Sequence, residues 1–306
     1  VSERVLGRDG LVGRRYIGGT DEERERYARV LRRLDAPGLA RRRAASAAAP
    51  PVDVVIPRDA GFASFGPGRF RYVDEVVEAA RAVMDRVDPL AAEGMPNKPQ
   101  LFTGLMPPEE ERLDSPFFRF ALQPAVLQAI AAYFGAAPVL YDVDLWFSVS
   151  PETEAPSTSQ LYHSDWEGLT QIRLLVYVRD VRPTDGPFVV LDAEASREVR
   201  QRVGYTYFRD GPDRYGRVAD ADVHAVVGDG REHGLDGPAG TVSFVDTGRC
   251  LHYGSRVERD ASRTLLACHY LAPGSFVRPL RPRSRARYRH LARPRLTELQ
   301  ALALGG

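Results

Sequence analysis

A chain of 306 residues, 43% hydrophobic and 27% charged, with a formal net charge of +1, can form one large domain or two small ones, and either buries a substantial core. No run approaches the roughly 18 apolar residues of a membrane span, and so small a net charge gives no electrostatic case for nucleic acid. Charges scattered through the opening VSERVLGRDGLVGRRYIGGT leave no apolar core for a secretory signal, so a cytoplasmic protein is expected.

In chain order, the first third reads as helix. In TDEERERYARVLRRLDAPG, Thr20 stands three residues before Glu23, a capping-box spacing, and Pro37-Gly38 mark a stop; a helix over about 21–35 is expected. RRRAASAAAPPVD then reads as a low-complexity connector. Val76, Val77, Ala80, Val83 and Met84 recur at helical spacing, and so do Val126, Leu127, Ile130, Ala131 and Phe134 after Pro124, with Gly135 as the stop.

Beyond Pro138 the period drops to two. VLYDVDLWFSVSP and QIRLLVYVRDV alternate as strands, and shorter strands follow at PFVVLD, TVSFVD and RTLLACHYLAP. Strands separated by Gly, Pro and Asp turns, with helices gathered before them, fit a β-sandwich or barrel carrying a helical layer on one sheet. Residues 197–238 form a long, turn-rich connection with Tyr205, Tyr207 and Tyr215, a length more often functional than idle. The tail RPLRPRSRARYRHLARPR is basic and reads as a solvated terminal segment or helix rather than a polyanion-binding arm. All but Lys98 of the 42 basic residues are arginine, which codon bias explains most simply. Cys250 and Cys268 make no C-x-x-C pattern and read as buried thiols.

Of the six histidines, His163 gains weight from its place. In QLYHSDWEG it stands two residues before Asp165 at the mouth of a strand, where both side chains can project to one side of an extended chain. His252, just after TVSFVD, supplies a third ligand. Two histidines and one carboxylate leave three positions open, as suits Fe(II) that must bind a co-substrate and dioxygen together; a structural zinc site prefers four closed ligands. Arg263, opening the strand RTLLACHY, can hold the far carboxylate of a dicarboxylic co-substrate by a two-pronged pair. Its rivals Arg256 and Arg259 lie in a polar turn and read as solvated.

QLYHSD, TDGPFVVLDAEAS, PAGTVSFVDTGRCLHYGS and Arg263, with the helical lead-in PFFRFALQPAVLQAIAAYFG, resemble the phytanoyl-CoA dioxygenase-like branch of the Fe(II)- and 2-oxoglutarate-dependent oxygenases, over roughly residues 72–275. The resemblance implies a mainly β fold with α, a double-stranded β-helix (jelly roll, cupin-like). It implies iron on His163, Asp165 and His252, and the 2-oxoglutarate C5 carboxylate on Arg263. Asp144, Trp146, Ser148 and Gln160 are candidates for the near end of 2-oxoglutarate. Trp166, Tyr205 and Tyr207 are candidates for substrate contact, with 197–238 as a lid. Residues 1–71 then read as a helical extension and 276–306 as a basic segment. The implied reaction consumes O2 and hydroxylates a small molecule, as in secondary metabolism, with desaturation, cyclisation or epimerisation as alternatives; Asp165 fills the position that halide-using relatives leave small. The sequence departs from the family at LDAEAS, where many members have a proline-glycine-serine-histidine run. A metal-binding β-sandwich without catalysis and a polyanion binder working through its tail are the rival functions, and nothing in the sequence sets an oligomeric state.

Overall fold

The computed structural model describes residues 19–88, 103–150, 155–208, 216–276 and 287–306. The expected first helix, α1 (Asp21–Leu34), is there with its capping box: Glu23 N–H donates to Thr20 Oγ1 while the Glu23 carboxylate accepts from Thr20 N–H. The expected connector is instead a second helix, α2 (Ala36–Ala48). Pro37 sits in its first turn, where the missing N–H costs nothing, and the alanines that follow are the best helix formers. Arg42 fastens α2 by donating to the carbonyls of Ala137, Pro138 and Leu302. α3 (Val73–Met84) buries the expected face of Val76, Val77, Ala80 and Val83. The next helical run divides into α4 (Pro116–Ala121) and α5 (Pro124–Phe134), because the residue before a proline is pushed out of helical geometry. Gly135, at φ 68°, ends α5 in the left-handed region that favours glycine.

The β-structure is two antiparallel sheets. The larger runs in the order β1 (Phe62–Phe65), β7 (Val242–Asp246), β4 (Gln171–Tyr177), β9 (Ser262–Leu271), β3 (Val139–Val149), β2 (Thr103–Gly104). The smaller runs β6 (Glu232–Leu235), β5 (Phe188–Leu191), β8 (His252–Tyr253). Strand alternation sorts the side chains into two cores. Leu266, Cys268 and Tyr270 of β9 and Ile172, Leu174 and Val176 of β4 face the helices, against Phe117, Phe118, Leu127 and Ile130. Their neighbours Leu265, Ala267, Leu175 and Tyr177 face the smaller sheet, against Phe188 and Val190. This is the expected double-stranded β-helix, with the helical layer on the outer face of its larger sheet.

Three expectations about its limits are corrected. The strands begin before residue 72, since β1 pairs with β7. The stretch read as a lid is largely built into the fold: it holds the end of α6 (Ala193–Arg202), all of α7 (Asp220–Val227), and β6, which pairs with β5. The described part of the basic tail is helical in part and keeps its arginines exposed, but it is anchored on the core rather than solvated throughout. Tyr288 and Leu291, with Leu299, Leu302 and Leu304 in and beside α8 (Glu298–Ala303), join the helical core, and Arg287 and His290 pair with Glu111. Tyr288 is buried and its hydroxyl accepts from Val143 N–H. Tyr288→Ala is expected to cost about 3–5 kcal/mol in urea unfolding, whereas a solvated tail would lose under about 0.5 kcal/mol.

Candidate metal centre

Two backbone hydrogen bonds place the first two site residues. His163 N–H donates to His252 O (3.0 Å) and His252 N–H donates to His163 O (2.9 Å), so the loop before β4 adds an edge to the smaller sheet and the two rings lie 4.3 Å apart. Asp165 N–H donates to Thr247 O (2.8 Å), which turns its carboxylate back over the pair. Its Oδ1 lies 3.9 Å from His163 Nε2 and 3.8 Å from His252 Nε2, and all three ligand atoms fall within 4.8 Å of one another. The two Nδ1 atoms face the carbonyls of Leu161 (2.9 Å) and Cys250 (3.0 Å). A carbonyl only accepts, so each Nδ1 carries the proton and each Nε2 keeps its lone pair toward the carboxylate, the orientation a metal requires. Burial works against ionising Asp165, but Arg173, with Nε 3.5 Å from Oδ2, holds it below the usual carboxylate range.

The turn that delivers His252 hangs on Asp246. Its Oδ1 accepts from the N–H groups of Gln171, Gly248 and Arg249, and its Oδ2 from the Tyr133 hydroxyl. One buried carboxylate thus ties the start of β4, the turn before β8 and helix α5 together.

Arg263 is 4% exposed and faces the same chamber. Its Nη2 donates to Ser255 Oγ (3.0 Å) and more weakly to Ser148 Oγ (3.5 Å), and its Nη1 to Gly186 O, while Nε has no partner. No carboxylate among the described residues pairs with it. Gly186 can approach because it lacks a Cβ, which would lie 2.7 Å from Val257 N, and because its φ of 68° is open to glycine. A buried guanidinium held only by neutral groups leaves a site for an anion.

Of the near-end candidates, Ser148 stands beside Arg263 in register. Gln160 is close but spent, its amide nitrogen on Ser255 O and its oxygen on Ser157 N–H. Asp144 lies four residues up β3 from Ser148, roughly 13 Å; it accepts from Leu145 N–H, Met106 N–H and Trp146 Nε1–H, and burial, with Asp142, raises its pKa to about 6. Trp146 lies under the Arg173 guanidinium at 5.2 Å. Arg256 is not solvated, since it forms a two-pronged pair with Asp220 at 2.6 and 2.7 Å.

The expectation that Tyr205 and Tyr207 meet a substrate is corrected. Both are buried behind the loop: Tyr205 OH accepts from Ser164 N–H and donates to Gly216 O, and Tyr207 OH donates to Asp21. Trp166 packs against Phe208 in this same outer layer.

No family profile and no curated protein matches the sequence. Solved structures do resemble the fold. The epimerase SnoN, in complex with Fe3+, alpha ketoglutarate and nogalamycin RO, is 16% identical over 78% of this chain and 84% of its own, with a TM-score of 0.47. EctD from S. alaskensis, with 2-oxoglutarate and 5-hydroxyectoine, is 17% identical over 74% and 79%, with a TM-score of 0.49. HygX from Streptomyces hygroscopicus, with nickel, 2-oxoglutarate and hygromycin B, is 17% identical over 69% and 83%, with a TM-score of 0.45. At such distances the likeness says nothing about chemistry, and the reading of the site rests on its own atoms.

Sequence reasoning missed Arg24, Arg173, Asp246 and Ser255. Arg173 had a signal, being a charge at every-second-residue spacing with Gln171. Arg24 had none: it looks like one more polar residue of α1, yet it is wholly buried, lies between the rings of Tyr207 (3.6 Å) and Phe276 (4.4 Å), and donates to the carbonyls of Trp166 and Gly168. It thereby clamps the segment that follows Asp165. Arg24→Ala removes two charge-assisted hydrogen bonds, each about 1.5–3 kcal/mol; we expect at least about 3 kcal/mol of lost stability and faster amide exchange from residue 166 to 170, read by hydrogen-exchange mass spectrometry.

Proposed function

We propose that this protein is an Fe(II)- and 2-oxoglutarate-dependent oxygenase that oxidises an unactivated C–H bond of a small molecule, with hydroxylation as the default outcome. One observation carries the reading. A single jelly roll encloses both a convergent two-histidine, one-carboxylate donor set and a buried guanidinium with no carboxylate partner among the described residues. The donors fit iron: the imidazole nitrogens and the carboxylate are fixed from behind by Leu161 O, Cys250 O and Arg173, and two histidines with one carboxylate would hold the ion and leave room for a co-substrate and dioxygen. The guanidinium fits a dicarboxylate whose other end reaches the metal.

In this reading His163, Asp165 and His252 hold the metal. Arg263, with Ser148 and Ser255, holds the far carboxylate of 2-oxoglutarate. Bound iron and 2-oxoglutarate together supply the activation of dioxygen and the electrons it needs. The protein contributes orientation. Arg173 occupies Asp165 Oδ2 and so presents Oδ1 to the metal, while Phe188 stacks on the His252 ring at 4.9 Å and keeps water from that side. Because Asp165 supplies a carboxylate, no ligand position is vacated for a halide.

Anaerobic addition of Fe(II) and 2-oxoglutarate tests this. A visible charge-transfer band is expected in the wild type. His163→Ala abolishes it, and Arg263→Ala raises the 2-oxoglutarate concentration needed for it at least about thirtyfold, the loss expected when one partner of a buried charge pair is removed. No band overturns the reading, and iron binding without succinate formation in air would make the protein a metal-binding β-sandwich that does not catalyse.

A further inference from the structure

Two turns meet beside Arg263. One is Thr158–Gln160, just before His163, and the other is residues 254–256, just after β8. Three hydrogen bonds join them. Gly254 N–H donates to Ser159 O (3.2 Å), Gln160 Nε2 to Ser255 O (2.8 Å) and Arg256 Nε to Gln160 O (2.8 Å). Of the four non-glycine residues at positive φ among the described residues, two stand in these turns, Thr158 at 47° and Ser255 at 60°. The left-handed region brings Cβ close to the carbonyl oxygen, so a serine keeps that conformation only where its surroundings impose it.

The conformation of Ser255 matters at its hydroxyl. Ser255 is 3% exposed, and its Oγ accepts from Arg263 Nη2 (3.0 Å) and lies 3.2 Å from Ser148 Oγ. A return to negative φ would carry that hydroxyl off the guanidinium. What opposes the return is Arg256. Its guanidinium forks onto Asp220, the first residue of α7, at 2.6 and 2.7 Å, and lies 3.5 Å over the Tyr253 ring. Fork and ring fix the guanidinium plane, and the Nε bond to Gln160 O then fixes the backbone that follows Ser255. At its other end α7 is held by His224, which pairs with Glu232 of β6. A partly exposed ion pair adds little stability; as geometry, this one connects an outer helix with a buried guanidinium.

We propose that Asp220 and Arg256 are positioning residues for the co-substrate: their pair holds Ser255 in the left-handed conformation, and Ser255 in turn orients the Arg263 guanidinium for a carboxylate. The purpose assigned to the pair rests on the oxygenase reading, which puts 2-oxoglutarate on Arg263; neither residue touches it. The sign of the effect separates positioning from plain electrostatics. Asp220→Ala removes a negative charge, which by Coulomb attraction alone leaves an anion bound as well or better, whereas loss of the bracket makes it bind worse.

Calorimetric titration of the Zn(II)-loaded protein with 2-oxoglutarate tests this without iron or turnover. Asp220→Ala is expected to weaken binding about tenfold, the loss of one hydrogen bond to a charged group, with Zn(II) affinity unchanged. Ser255→Ala should weaken it by about as much, and the double variant no further, where independent effects would multiply to about a hundredfold. Arg256→Lys keeps the charge without the fork and should repeat the loss, which covers a failure of Asp220→Ala to fold. A crystal structure of Asp220→Ala should show Ser255 outside the left-handed region. Unchanged or tighter binding in Asp220→Ala and Arg256→Lys, a multiplicative double variant, or Ser255 still at positive φ overturns the proposal while the oxygenase reading stands. A wild type that binds no 2-oxoglutarate overturns the oxygenase reading and the purpose of the pair with it, and the conformation of Ser255 in the variant still decides whether the pair holds it.

Discussion

The reciprocal pair of hydrogen bonds between the backbones of His163 and His252 is the contact on which the site depends. It joins a loop to the two-residue edge strand β8, and it sets both imidazoles on one side. A slip of one residue would send one of the rings to the opposite face. The neighbours of the pair guard that register. Tyr162 pairs with Val218 just outside it, Leu191 N–H donates to Leu251 O beside it, and Asp165 is held by Thr247. Packing behind the loop does the same, since Tyr205 supports Ser164 and Arg24 the two carbonyls beyond Asp165.

A second constraint is the handling of buried charge. A closed sandwich of this size would ordinarily exclude ions from between its sheets, yet Asp165, Arg173, Glu167 and Arg263 all lie inside it. Asp165 and Arg173 offset each other. Among the described residues Arg263 has no such counterpart; burial pushes its proton affinity down, with the Tyr177 hydroxyl as the opposing influence. The asymmetry assigns the two ends different work. At one end a carboxylate and a guanidinium face each other, and at the other the guanidinium has no carboxylate partner among the described residues.

How much of this was legible in the sequence follows from what each feature needs. The strands β3, β4 and β9 could be read because burying both faces of a sheet, one under helices and one in the chamber, leaves a long period-two signature. His163, Asp165, His252 and Arg263 could be read because their chemistry is rare and they stand at strand mouths. β1, β2, β6 and β8 are two to four residues long, too short for a period, and exist only through their partners. α2 was hidden by a proline and a run of alanines that mimic a linker. Tyr205 and Tyr207 look like binding residues because they are aromatic and stand in a long connection; the Tyr205 hydroxyl in fact satisfies Ser164 N–H of the metal loop and the Tyr207 hydroxyl reaches Asp21 of α1, which no local pattern discloses. Arg24 and Asp246 act on segments more than seventy residues away, and that distance in sequence is what concealed them.

The division of the larger sheet into two faces also explains why the polar residues of the strands are not surface residues. In β4 the sequence Gln171, Arg173, Leu175, Tyr177 looks like the solvent side of an amphipathic strand as far as Arg173 and then turns apolar. The structure shows why: this face is inside, wet-chemistry at the end near Asp165 and apolar at the end near Phe188 and Leu265. The same gradient runs along β9 in the opposite sense of the chain, from Arg263 through Leu265 and Ala267 to His269. That row is thus apolar at its middle, where Leu265 and Ala267 pack against Leu175 and Tyr177, and polar at both ends.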